Sequence, residues 1–316
     1  MKCFLSVVAH TLKLMTDNKQ FETLTDSLWL NGAELLGNHP SGSEAWHALR
    51  RQGIGGSNVG TILGLNPWES AFGLWAKRTG QIEDPPVDNW SVRFGNAFEE
   101  PILKMWAVEH PEYEIFLAGT YRHPLHPYLL ANPDALARHR ETGEWIVVEV
   151  KTARSSWYEL PPAYHAQVMH YMTVFGLKSA TVVAVAGWNW QEHVVEFDEF
   201  ESEAQVAACR RFWDHLEQVV KPEWDGSKAT YEAQRQLNPN IDDDQVDLDD
   251  LGVALLEKQK LFDVAEAELL QVKSEVLDRM GKARHGVIKE GEATVRVASR
   301  QARGNGTPWL VIKKGK

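Results

Sequence analysis

A mixed α/β (α+β) fold, with a central sheet flanked by helices, follows from three features of the sequence. Short β-like runs fill the middle of the chain, helical patterns stand on both sides of them, and one further helix interrupts the run of strands. The strand-like segments are 113–121, 129–136, 144–151 and 180–185, with a weaker one over 191–197. Upstream, 43–51 reads as a helix with Ser43 as its N-cap. Gly53-Ile54-Gly55-Gly56-Ser57-Asn58 is a tight loop opening a short helix over 59–63. A helix over 71–79 is stopped by Gly80. The pattern over 92–110 places Phe94, Phe98, Ile102, Leu103 and Trp106 at three- and four-residue spacing, and Pro101 predicts a kink or a start near 96–98. Helices over 163–175 and 202–220 complete the core.

Beyond Pro222 the character changes. Residues 226–250 are polar and end in an acidic run, the composition of a linker or exposed loop. Residues 251–280 predict a helix of about 45 Å whose apolar seam is Leu255, Phe262, Ala265, Leu269, Val272 and Val276. The segments 294–298 and 309–312 around Gly304-Asn305-Gly306 read as a β-hairpin. The expected organisation is an N-terminal extension (1–42), a core domain (43–222), an acidic linker (223–250) and a C-terminal helix plus basic hairpin (251–316).

The 316 residues are 43% hydrophobic and 24% charged, as in ordinary globular proteins. The formal net charge of −11 argues against a protein coated in positive charge. Its distribution is uneven: 240–280 hold 12 acids and 4 bases, whereas 281–316 hold 9 bases and 2 acids. Cys3 and Cys209 are too far apart for a CxxC site, which excludes a zinc ribbon, a four-cysteine cluster and a disulfide scaffold. The apolar run 4–9 is broken by His10 and Lys13, so it does not read as a secretory signal. No stretch reaches the length of a membrane span.

The chemistry concentrates in the strand-rich middle. Pro133-Asp134 ends one short strand, and Val147-Val148-Glu149-Val150-Lys151 forms the next. Residues i and i+2 of a strand share a face, so Glu149 and Lys151 project together while Val148 and Val150 enter the core. A charged pair closing an apolar strand breaks burial logic, and such breaks mark sites. Asp134 and Glu149 can bind a hard divalent cation through oxygen, with the Val150 carbonyl as a third ligand. Lys151 can hold or help deprotonate an attacking water. Gly95-Asn96-Ala97-Phe98-Glu99-Glu100 offers further carboxylates on a helix, and Tyr164, Gln167 and Tyr171 put an amide one turn from each of two aromatics. Taken singly, Glu149 and Lys151 fit a cross-strand ion pair equally well; the ordered set is far more specific.

That ordered set resembles the core of the PD-(D/E)XK nuclease superfamily, and within it the phage lambda-exonuclease type, the YqaJ-like viral recombinase nucleases. A second block is similar to that family's N-terminal signature: Ala45-Trp46-His47, Leu49-Arg50, Gly53-Ile54-Gly55-Gly56-Ser57 and Ile62-Leu63-Gly64-Leu65-Asn66-Pro67-Trp68. The resemblance spans 44–220 and implies a restriction-endonuclease-like core. It also implies Mg²⁺-dependent 5′→3′ digestion of one strand of linear duplex DNA, with Mn²⁺ as a substitute, leaving single-stranded tails for phage-type recombination. It places Glu99 at the helix carboxylate, with Glu100 as the alternative. Asp134 and Glu149 match the metal-binding acids, Lys151 the catalytic lysine, and Gln167 the glutamine that supports the site. Arg50 and Ser57 match residues that grip the DNA 5′-phosphate, roles suited to a bidentate guanidinium and to exposed N–H groups at a helix start. Arg154 is a further candidate phosphate contact, in a stretch that departs from the family: Thr152-Ala153-Arg154 stands where many relatives have a Cys-Pro or Thr-Pro step.

As partners, the resemblance implies duplex DNA ends, a single-strand annealing protein and a ring-like homo-oligomer, often a trimer, with no membrane. The implied setting is the cytoplasm of a bacterial host, with a phage or prophage origin. Two rivals remain open: a structure-specific or restriction-type endonuclease on the same core, and a non-catalytic DNA-binding or assembly protein working through 251–316.

Overall fold

Alternation of apolar residues on both faces lets one strand, β8 (Trp145–Thr152), serve as the buried axis of the fold. In the computed structural model, which describes residues 21–23, 30–85, 87–302 and 304–313, β8 lies inside a six-stranded mixed sheet. Its antiparallel neighbour is β7 (Ala135–His139), which pairs in turn with β4 (Tyr113–Leu117) and, beyond it, β1 (Glu22–Thr23). On the other side β8 runs parallel to β9 (Ser179–Ala186), which pairs antiparallel with β10 (Asn189–Glu196). A parallel pair needs a crossover connection. Here it is the helix α5 (Pro162–Phe175), opened by Pro162 in its first turn and closed by Gly176 at φ 61°.

Each sheet face is covered. Leu136, Val147, Ala180 and Val182 pack with Ala166, Met169 and Met172 of α5. On the opposite face Ala135, Ala137, Val148, Val150 and Val183 pack with Ile102, Leu103 and Trp106 of α4 (Trp90–Glu109). Full burial of each aliphatic chain contributes about 1.5–3 kcal/mol against the entropy of ordering it.

A second sheet has the order β2 (Glu34–Gly37), β5 (Thr120–Arg122), β6 (Leu129–Ala131), β3 (Ile54–Gly55). The segment 129–136, expected as one strand, is therefore two. Asn132-Pro133-Asp134 carries the chain from β6 in the second sheet to β7 in the central one, and Pro133 has no N–H to offer a ladder. Between β2 and α4 in sequence lie α1 (Glu44–Arg50), then β3, α2 (Gly56–Ile62) and α3 (Ala71–Arg78). The expected caps hold: Ser43 Oγ accepts from the Trp46 N–H at 3.2 Å, and Gly80 follows α3 at φ 72°.

Four expectations need correction. α4 is one helix of 20 residues running through Pro101, started by Asn89, whose side chain accepts from the Val92 N–H at 3.0 Å. The segment expected as an extension before residue 43 supplies β2, and Leu30 and Ala33 are buried in the core; residues 1–20, with the apolar run 4–9 and Cys3, lie outside the described residues. The helix closing the core, α6 (Glu199–Glu217), begins three residues earlier than the apolar pattern suggested, capped by Asp198. The expected linker 223–250 contains α7 (Lys228–Leu237), capped by Ser227, with Thr230 and Ala233 buried. Its strongly polar composition and the small residues on its inner face hide it in the sequence.

The chain divides into two units, residues 1–241 and 242–316. The second consists of α8 (Asp249–Met280) and an antiparallel sheet of β11 (His285–Glu290), β12 (Ala293–Gln301) and β13 (Trp309–Ile312). The expected hairpin is β12–β13; β11 is an additional strand. At 32 residues α8 is about 48 Å long, and none of its residues is buried.

Candidate active site

Asp134 and Glu149 meet because β7 and β8 pair in one register. Ala135 stands opposite Val148, so the residue before one faces the residue after the other. The Asp134 N–H donates to Glu149 Oε2 at 3.3 Å, and the Val150 N–H donates to Asp134 Oδ2 at 2.7 Å. Glu149, only 3% exposed, accepts on Oε1 from Lys151 Nζ at 2.5 Å and from Gln167 Nε2 at 2.6 Å. The i and i+2 spacing on β8 thus puts the two charges on the α5 side, where Gln167 waits one turn into the helix.

Electrostatics show a cluster short of positive charge. Burial pushes the Asp134 carboxyl well above the usual carboxylate range, and the charges of Glu149 and Glu99 push it further. Burial, then Glu149, also raises Glu99, with Lys151 opposing. Lys151 is the compensating group. Desolvation works to neutralise it, but Glu149 and Asp134 outweigh burial and leave its pKa raised. It is therefore held as an ammonium that donates to Glu149 Oε1. Of the two helix acids, Glu99 feels this cluster, whereas Glu100 is exposed and pairs with Lys104 at 2.7 Å.

Among the described residues no three acid, histidine or cysteine side chains stand close enough to ligate one ion in this arrangement. The carboxylate oxygens face protein donors instead. The donor set nevertheless suits a hard cation: all oxygen, mutually repelling, and only partly balanced by the Lys151 ammonium.

The second expected constellation adjoins the first. Arg50 Nη2 donates to Ser57 Oγ at 2.6 Å, and its guanidinium lies 4.4 Å from the centre of the Trp46 ring. Trp46 Nε1 donates to Asn132 Oδ1 at 2.7 Å, and Tyr171 Oη donates to the Asn132 carbonyl at 3.2 Å. Gln167 Nε2 also reaches Tyr171 Oη at 3.0 Å, so one hydrogen-bonded path joins Trp46 to Glu149. Gly56 is required here, since a Cβ would stand 2.5 Å from the Tyr171 ring. Arg154 is exposed on the loop after β8. Asn132 was not anticipated as a site residue, although it stands next to Pro133-Asp134; Trp46 stood in the N-terminal block beside Arg50 without a role of its own.

Residues 45–178 match the family described as the YqaJ-like viral recombinase domain. Over that span the chain is similar to that family. The matched span contains both constellations, from Trp46 to Tyr171. A relative in Bacillus subtilis (strain 168), the uncharacterized protein YqaJ, is 28% identical over 280 residues, covering 83% of this chain and 86% of that protein. Among solved structures, the alkaline exonuclease LHK-Exo from Laribacter hongkongensis superposes with a TM-score of 0.47 at 19% identity, covering 56% of this chain and 94% of that one. Its complex with dAMP gives a TM-score of 0.48 at 18% identity, with the same coverage. Among the described residues, no helix is long and apolar enough to cross a membrane.

Proposed function

We propose that this YqaJ-like domain is a divalent-cation-dependent deoxyribonuclease that digests one strand of linear duplex DNA from its 5′ end, leaving single-stranded tails for recombination. The observation that carries the reading is the convergence of Asp134 and Glu149 across two strands, with Lys151 and Gln167 both bonded to Glu149. Glu99, Asp134, Glu149 and the Val150 carbonyl would hold Mg²⁺, with Mn²⁺ as a substitute. When bound, such an ion lowers the pKa of water and neutralises charge developing on a phosphodiester.

The protein groups then divide the remaining work. Lys151 holds or helps deprotonate the attacking water, or donates to a phosphate oxygen. Gln167 fixes the Glu149 carboxylate, and Tyr171 fixes Gln167. Arg50 and Ser57 bind the terminal 5′-phosphate as a charge-assisted pair, and Arg154 contacts the backbone beyond it. Glu100 stays with Lys104 outside the reaction. The wider expectations belong to the same reading: duplex ends as substrate, a single-strand annealing protein as partner, a homo-oligomer such as a trimer, and a cytoplasmic, phage- or prophage-derived setting.

Incubation with 5′-phosphorylated linear, dephosphorylated linear and closed circular duplex, each with and without Mg²⁺, tests it. Fast, Mg²⁺-dependent loss of the phosphorylated linear form alone is expected. Cleavage of the circle at a comparable rate would replace this reading with an endonuclease, and no hydrolysis of any form would remove it.

A further inference from the structure

The loop between β8 and α5 is fastened where it has no strand to join. The Trp157 N–H donates to Gln191 Oε1 at 2.8 Å, and Gln191 Nε2 donates to the Trp157 carbonyl at 2.7 Å. Gln191 stands opposite Ala184 on β9, and Ala184 stands opposite Lys151 on β8. Lys151, Ala184 and Gln191 therefore form one row across three strands, with side chains on one face. The fastened loop places the Trp157 ring 5.2 Å from the Tyr164 ring, at 33° between planes. The Tyr164 ring in turn lies 5.2 Å from Lys151 Nζ, within cation–π range.

From this we infer that Tyr164 is a positioning residue for Lys151, its ring face held in place by the Trp157–Gln191 strap. The inference rests on the nuclease reading above and deepens it. Glu149 Oε1 already serves both Lys151 and Gln167. A carboxylate whose charge is shared with a bound cation grips an ammonium less tightly. The ring face carries no net charge to share, so it keeps Lys151 in place when Glu149 is engaged elsewhere. The ring does this through its face and not its hydroxyl, which makes phenylalanine an adequate replacement and leucine an inadequate one.

The test compares wild type, Tyr164→Phe, Tyr164→Leu and Gln191→Leu by steady-state kinetics on 5′-phosphorylated duplex. In parallel, the Lys151 ε-methylene resonance is followed in cation-free, ¹³C-lysine-labelled protein and assigned by its loss in Lys151→Met. Tyr164→Phe should retain kcat within about twofold. Tyr164→Leu should lose about tenfold in kcat with KM unchanged, and Gln191→Leu should fall between them. The ε-methylene signal should lie upfield of other lysines in wild type and Tyr164→Phe, and return to their position in Tyr164→Leu. An unshifted Lys151 signal, a Tyr164→Leu enzyme with wild-type kcat, or equal losses in the Phe and Leu variants would each overturn the inference while leaving the nuclease reading intact. An upfield signal in a wild-type protein that hydrolyses no DNA would remove the nuclease reading, and the positioning role with it.

Discussion

The two units of this chain break the rule of apolar inside and charged outside in opposite directions. In residues 1–241 an acid–base cluster is buried on central strands of a sheet: Glu149 is 3% exposed, yet it carries an ion pair and a hydrogen bond from the Gln167 amide. In residues 242–316 the long helix α8 exposes Leu251, Leu255, Phe262 and Leu269 at 45% or more. A buried charge persists only where donors and counter-charges surround it, so the first departure costs stability and is assembled from four elements. An exposed apolar side chain costs the folded chain little, so the second departure can sit on one helix. The comparison therefore separates residues that the proposed chemistry would use from residues whose substitution is expected to leave this fold unchanged.

Four substitutions can break or sharpen that contrast. Lys151→Met is expected to lower kcat about a thousandfold, because it removes the one ammonium facing three carboxylates; an initial-rate assay measures this. Trp106→Ala, in the core beneath β8, should cost about 3–5 kcal/mol in urea denaturation, since the indole is 1% exposed and bonded to Glu192.

The buried imidazole of His170 contributes to the acid limb of stability. It is bonded to the Leu130 carbonyl at 2.9 Å, and burial pulls its pKa from 6.5 to about 4. The unfolded chain takes up this proton near pH 6.5 and the folded chain only near pH 4. The stability from neutral His170 is therefore full above pH 6.5 and shrinks as pH falls between those values. By pH 4.5 the loss should be about 2.5 kcal/mol, read as a drop in denaturation midpoint that His170→Asn diminishes. At the small end, Phe262→Ser on α8 should change stability by less than about 0.5 kcal/mol, with the wild-type rate of hydrolysis unchanged.

Much of the first unit was legible because its signals are local. The two-residue period of 147–151 put Glu149 and Lys151 on one face, and Ser43 and Gly80 marked helix ends at the expected residues. What escaped depended on contacts distant in sequence. The break at Asn132-Pro133-Asp134 between two sheets and the strap from Trp157 to Gln191 both follow from tertiary packing. α7 was missed for a different reason: alanine and threonine, not large apolar chains, face inward. The charge total of −11 also misled when taken whole, because part of it is the carboxylate cluster itself.

The measurement closest to the central claim is a time course on 5′-phosphorylated linear duplex with Mg²⁺, comparing wild type with Glu149→Gln, with thermal melting of both proteins in parallel. Glu149→Gln keeps an acceptor for Lys151 and Gln167 but removes the charge. Steady strand loss by wild type, and none by a Glu149→Gln protein that melts as a folded domain, is the expected result. Wild-type digestion rates in a folded Glu149→Gln protein would contradict the assignment of this cluster as the active site.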